Sequence, residues 1–144
     1  MNRERKEAAN KGFSLVELII VVAIMAVLIG VLAPQYLRYV ERSRNSTDRS
    51  NAAAIESALL VWGSETDVTL DLYPAGQSGT VTVTDAAFTP ASTDTDMLNA
   101  INAALANAGI DNTIRCQSRT TFTQYVVEVT VNATGNVTVT ITES

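Results

Sequence analysis

Apolar side chains fill residues 13–33 almost without interruption, the exceptions being Ser14, Glu17 and Gly30. A helix of these 21 residues rises about 1.5 Å per residue and is therefore about 31 Å long. That length matches the hydrocarbon core of a bilayer, about 30 Å. The pattern predicts a membrane-spanning helix with one charged side chain, Glu17, close to its start.

Polar residues become frequent after Pro34, yet the helical pattern continues. Residues 35–62 contain neither Gly nor Pro, and Ile55, Leu59 and Trp62 recur at the spacing of one helix face. This apolar stripe is weaker between Glu41 and Asn51. We expect one helix over about residues 14–62, amphipathic in its second half, with Gly63 as its stop signal.

The remaining residues read as short strands and one short helix. Segments 68–73 and 80–84 alternate with period two, and 113–117 resembles a short strand. A helix is expected over about 96–108, with Thr93 and Asp96 as a capping box and Gly109 as C-cap. Residues 125–131 and 137–141 alternate strictly around a Gly-containing turn, which predicts a β-hairpin.

The fold class is therefore α+β: a long N-terminal helix, half transmembrane and half amphipathic, packed on a small antiparallel sheet. About 110 residues remain after the span, enough for one modest core. The residues predicted to form that core are Ile55, Leu59, Trp62, Val127, Val129, Val139 and Ile141.

Charge is distributed unevenly along the chain. Residues 1–12 carry four basic and two acidic side chains, whereas residues 50–144 carry two Arg against ten Asp and Glu. Because basic flanks stay in the cytoplasm, the leader is expected inside and the remainder outside. An acidic exported part also argues against nucleic-acid binding, which needs clustered Lys and Arg.

The residue inventory disfavours catalysis. There is no His, and Cys116 is the single Cys, so no intrachain disulfide can form. Asp94 and Asp96 resemble the opening of a calcium loop, but the later Gly and Glu are missing, and the start of a helix explains both carboxylates. We predict no enzyme activity, no cofactor, no metal and no small-molecule ligand.

The segment Lys11-Gly12-Phe13-Ser14-Leu15-Val16-Glu17-Leu18 resembles the prepilin signature of type IV pilins and pseudopilins. The resemblance implies that a prepilin peptidase cuts after Gly12 and that the new N-terminal Phe13 is methylated. It implies that Glu17 then pairs with the Phe13 amine of a neighbouring copy. It also implies a kink or loss of helical bonds at Gly30 and Pro34.

Four regions follow from these arguments: a cleaved leader (1–12), an assembly helix (13–34), an amphipathic half-helix (35–63) and an α+β head (64–144). The expected function is a structural subunit of a type IV pilus-like filament, acting in adhesion, motility or a related surface role. Its partners would be other copies of itself, the peptidase, an inner-membrane assembly platform and, before assembly, the membrane.

Two alternatives stay open at this point. One is a pseudopilin of a type II secretion or DNA-uptake apparatus, and the other is a membrane-anchored module that binds a surface. An ordinary signal peptide fits poorly, since its product would begin at Pro34, which signal peptidases generally reject. The expected location is the cytoplasmic membrane, followed by an extracellular pilus or a pseudopilus within the envelope.

Overall fold

The computed structural model describes residues 12–65 and 76–144. The predicted strand over 68–73 lies outside the described residues. The elements are helix α1 (Leu15–Glu65), strands β1 (Ser78–Thr84) and β2 (Phe88–Ser92), helix α2 (Thr95–Asn107), and strands β3 (Gln124–Val131) and β4 (Val137–Glu143). A long N-terminal helix with a small antiparallel sheet confirms the predicted α+β class.

Helix α1 continues through Pro34. Proline has no N–H, so the carbonyl of Gly30 receives no helical hydrogen bond there. The predicted kink or melting at this turn stays a prediction. Internal packing divides the chain into two units, Met1–Tyr39 and Val40–Ser144. The region boundaries predicted from the sequence also stay predictions.

The end of α1 differs from the expectation. Gly63 lies inside the helix, which ends at Glu65, so the prediction that Gly63 stops it is wrong. A Cβ atom at this position would stand 2.7 Å from Cβ and Cγ2 of Val137 at the start of β4. Glycine is therefore needed here for a close approach between the helix and the hairpin, which local sequence cannot reveal.

The four strands form one antiparallel sheet in the order β2-β1-β3-β4. Strand β3 pairs with β4 as the predicted hairpin, with Val127 opposite Ile141, and with β1 on its other side, where Val127 faces Val81. Strand β2 was not predicted from the sequence. It contains Pro90, which is tolerated because β2 is an edge strand.

The core lies between the inner face of the sheet, the second half of α1, and α2. Ile55, Leu59, Val127 and Val129 are fully buried, while Trp62 and Val139 are partly buried against the same cluster. Predicting Ile141 as a core residue is wrong, because 38% of its surface is exposed on the edge strand β4. The cluster also contains residues of β1, α2, the following loop and β3: Val81, Val83, Met97, Ile101, Ala104, Leu105, Cys116, Phe122, Tyr125 and Val131.

Helix α2 is capped at both ends. The N-cap is Asp94, not the predicted Thr93, and its carboxylate accepts the N–H of Met97 at 2.9 Å. Gly109 follows the C-cap with a φ of 71°, and the N–H of Ile110 bonds back to the carbonyl of Leu105. This is a Schellman ending, which only a residue with positive φ completes easily.

Candidate functional site

The first candidate site is the exposed apolar part of α1. Every large apolar side chain from Phe13 to Tyr39 is at least 52% exposed, and Phe13 itself is 92% exposed. Among the described residues, α1 is the one helix long and apolar enough to cross a membrane. A continuous apolar surface of this size marks a membrane or protein contact rather than a water-exposed face.

Glu17 lies at the start of this surface and caps its own helix. Its Oε2 accepts the backbone N–H of Ser14 at 2.9 Å, and Ser14 accepts the N–H of Leu18 through its carbonyl. This is half of a capping box, with Ser at the N-cap and Glu three residues later. Sequence reasoning missed this role, although the Ser-Leu-Val-Glu pattern carries the signal.

Gly12, at the predicted cleavage site, and Gly30, at the predicted kink, both have free space around the position of a Cβ atom. A Cβ at Gly12 or at Gly30 would meet no atom within 4 Å. Within residues 12–65 and 76–144, crowding therefore does not explain why either position is glycine.

The second candidate site joins α1 to the loop after α2. Asp48, although fully buried, accepts the backbone N–H groups of Gln117 at 2.8 Å and Ser118 at 2.7 Å. Seven residues earlier, Glu41 accepts the N–H groups of Arg119 at 2.7 Å and Thr120 at 2.9 Å. We call these two carboxylates and the four amides of residues 117–120 the carboxylate clamp.

The clamp explains two departures from the sequence prediction. Residues 113–117 are not a strand. The N–H of Cys116 bonds to the carbonyl of Thr84 at the end of β1. The next N–H, that of Gln117, bonds to the Asp48 carboxylate instead, so no ladder with β1 continues. The apolar stripe of α1 weakens between Glu41 and Asn51 because the helix docks there through hydrogen bonds. The signal was present as two acidic residues about two helical turns apart, and it indicates this use only when the position of the loop is known.

Electrostatics at the clamp follow its hydrogen bonds. The N–H groups of Arg119 and Thr120 and the hydroxyl of Ser118 hold the pKa of Glu41 at about 2. Burial, reinforced by the nearby Asp48 carboxylate, raises the pKa of the Cys116 thiol to about 11. The thiol is therefore protonated at neutral pH and is a poor nucleophile.

Together these features define a class of protein: a small α+β head on a helix whose exposed apolar half bears one carboxylate. Comparison with known proteins makes the class more specific. Residues 8–33 match the family model described as the prokaryotic N-terminal methylation motif. The type IV major pilin protein PilA of Myxococcus xanthus is 36% identical over 67 residues, which are 46% of this chain and 30% of the relative.

Two further relatives match a comparable share of the chain. The type IV major fimbrial protein FimA of Dichelobacter nodosus is 40% identical over 53 residues, 37% of this chain and 34% of the relative. The prepilin peptidase-dependent protein A of Clostridium perfringens is 38% identical over 56 residues, 39% of this chain and 40% of the relative. These matches confirm the predicted resemblance to the type IV pilin family.

The similarity is confined to a portion of each protein. The chain spans 30% to 40% of the length of these curated relatives. No solved structure matches the chain.

Proposed function

We propose that this protein is a structural subunit of a type IV pilus-like filament. In this proposal a prepilin peptidase cuts the precursor after Gly12, Phe13 becomes the methylated N-terminus, and copies polymerise through residues 13–34. The observation that carries the proposal is the exposed apolar first half of α1, with a single carboxylate near its start, in the segment that matches the methylation motif.

The apolar surface needs two successive environments. Before assembly, lipid covers it, because a helix of this length spans the hydrocarbon core. After assembly, the same surface of other copies replaces lipid without exposing apolar area to water. A filament with a bundle of such helices at its centre satisfies both conditions.

The charge of Glu17 supports an assembly role over a purely structural one. A carboxylate costs roughly 2.5–3.5 kcal/mol at the centre of a spanning helix and less near its end. Within residues 12–65 and 76–144, no basic side chain forms an ion pair with it. Removal of the leader would create an amine at Phe13, which supplies the missing positive charge from a neighbouring copy.

Mass spectrometry of filaments sheared from cells tests the proposal. We expect a mature chain that begins at Phe13 and carries one added methyl group on its amine. An N-terminus at Met1 or at Pro34 in such filaments would contradict it.

A pair of glycine variants tests the cleavage step. Gly12→Val should remain as an uncut, membrane-bound precursor, whereas Gly30→Val should be cut normally. Both positions have free space for a side chain within this chain, so a difference between the variants would arise at the peptidase. Equal processing of the two precursors would show that Gly12 is not the cleavage residue.

A further inference from the structure

The basic residues beyond the leader have an unusual composition and placement. Residues 12–144 contain six Arg and no Lys. Three of the six, Arg44, Arg115 and Arg119, line one surface cleft of about 330 Å³ together with Asp85, Cys116 and Gln117. The cleft therefore gathers half of the positive charge of a part of the chain that is otherwise acidic.

The carboxylate clamp holds together the two segments of the chain that carry these three Arg residues. Arg44 lies on α1 between the two clamp residues, Glu41 and Asp48. Arg115 lies two residues before the first of the four amides in the clamp, and Arg119 contributes one of the four. The cleft is thus fixed by several hydrogen bonds between α1 and this loop, the most deeply buried of them being the one from the Ser118 N–H to Asp48.

The guanidinium groups keep unused donors. Arg115 donates through Nη1 to the carbonyls of Asn112 and Ile114, which orients its planar group. Arg44 Nη1 stands 3.8 Å from Glu41 Oε2, an ion pair too long for a hydrogen bond. In the described parts of the chain, neither Arg44 nor Arg119 donates a side-chain hydrogen bond.

The neighbouring carboxylates Asp48 and Glu41 do not accept hydrogen bonds from these guanidinium groups. Asp48 is fully buried and faces the loop amides, and one oxygen of Glu41 accepts three hydrogen bonds from the same loop. Asp85 is the one acidic side chain among the residues that line the cleft. Guanidinium donors in a fixed fork suit carboxylate, sulfate and phosphate groups, which they bind bidentately.

We infer that the cleft formed by Arg44, Arg115 and Arg119 is a binding site for an oxyanion group. The group would be a sulfate, phosphate or carboxylate that accepts from at least two of the three guanidinium groups. It could come from a free inorganic anion or from the acidic substituent of a glycan, which share this chemistry. The site does not depend on filament formation.

The inference can be tested on the full chain in non-ionic detergent by following the Nε–H resonances of its Arg side chains during titration with sodium sulfate. We expect saturable shifts at Arg44, Arg115 and Arg119. Arg42 and Arg49 serve as internal controls, and sodium chloride at equal ionic strength serves as the salt control. Shifts that grow linearly, occur equally at all Arg residues or are matched by chloride would overturn the inference.

Substitutions distinguish sulfate binding at the cleft from general attraction to positive charge. Because hydrogen bonds to charged groups contribute about 1.5–3 kcal/mol, Arg119→Gln should raise the sulfate Kd roughly tenfold or more. The exposed residue Arg42 lies outside the cleft, so Arg42→Gln should leave the Kd unchanged. Equal weakening by both variants would overturn the inference.

A second titration identifies the source of the anion. A sulfated oligosaccharide that binds more tightly than sulfate, while its unsulfated counterpart does not bind, would assign the site to an acidic glycan. Equal affinity for the sulfated oligosaccharide and for sulfate would assign it to free anions. Both results require the same three Arg resonances to shift, and an oligosaccharide that bound without shifting them would contradict the site.

Discussion

Three carboxylates on α1 form hydrogen bonds with backbone N–H groups, and each has a different structural role. Glu17 caps the exposed apolar helix, Asp48 is buried under a loop, and Glu41 orders the amides that follow. Buried or half-buried carboxylates are retained where several donors satisfy them, since an unpaired one is costly. Asp48 and Glu41 are therefore among the residues through which α1 makes polar contacts with the head, together with Asn45 and Arg49.

At the residue scale, the clamp predicts a specific acid sensitivity. The native pKa of Glu41 is about 2, below its ordinary value of 4.5. The contribution of a group with a lowered pKa is complete above the ordinary value and is lost as the pH falls toward the native one. Glu41→Gln should therefore lower the Tm of the head at neutral pH, and the difference from the parent should shrink below about pH 4.

Thermal unfolding followed by Trp62 fluorescence, on the full chain in detergent, measures this effect. Glu128→Gln is the matched control, because Glu128 is exposed on β3 and its carboxylate has no hydrogen-bond or ion-pair partner among the described residues. A Glu41→Gln difference that stays constant from neutral to acid pH would show that the carboxylate charge does not hold the loop.

At the element scale, adjacent leucines of α1 report how the helix docks. Leu59 is fully buried in the core, whereas Leu60 is 43% exposed. Removing a buried Leu side chain typically costs about 2–5 kcal/mol, while surface substitutions usually stay within about 0.5 kcal/mol. Leu59→Ala should strongly lower the denaturant midpoint of the head, and Leu60→Ala should change it little. Equal effects would show that this helix face does not meet the sheet.

The close approach of Gly63 to Val137 leads to a second prediction at the element scale. Alanine is the better helix former by about 1 kcal/mol, so Gly63→Ala would stabilise an isolated helix. In the folded head the new Cβ would meet Val137 at 2.7 Å, and overpacking of this kind costs about 1–3 kcal/mol. We expect a lower Tm for Gly63→Ala and no such loss for Gly30→Ala, whose Cβ meets no atom within 4 Å. A stabilised Gly63→Ala head would contradict the contact.

Patterns local in sequence predicted most elements of the head. Period-two alternation identified β1 and the β3–β4 hairpin, and helical spacing identified α2. The wrong or missing predictions have non-local causes. Gly63 lies against Val137, the loop at 113–117 bonds to Asp48, and β2 pairs with the edge of β1. For the candidate site, the positions of Gly12, Phe13 and Glu17 came from the sequence signature, whereas the Glu17 cap and the clamp required coordinates.

At the scale of the whole molecule, the two units of the chain carry different physical tasks. The first unit exposes apolar side chains, which in the proposed function lipid and then other copies cover. The second unit has its own core, closed by α1, α2 and one face of the sheet. The proposed filament uses the first for assembly and leaves the surface of the second available for other contacts, among them the inferred oxyanion cleft.

The central claim is that the charge of Glu17 drives assembly, and filament yield from Glu17→Gln tests it most directly. Glutamine can still accept the Ser14 N–H and so keeps the helix cap. It cannot form an ion pair with the Phe13 amine of a neighbour. Breaking such a buried pair typically costs about 3–5 kcal/mol for each subunit.

Sheared filaments counted by electron microscopy, alongside Glu17→Ala and a Glu128→Gln control, give the readout. Our account predicts that Glu17→Gln and Glu17→Ala both produce processed, membrane-held chains with few or no filaments, while Glu128→Gln assembles normally. Normal filament yield from Glu17→Gln would contradict the account, because it would leave the helix cap, and not the charge, as the role of this residue.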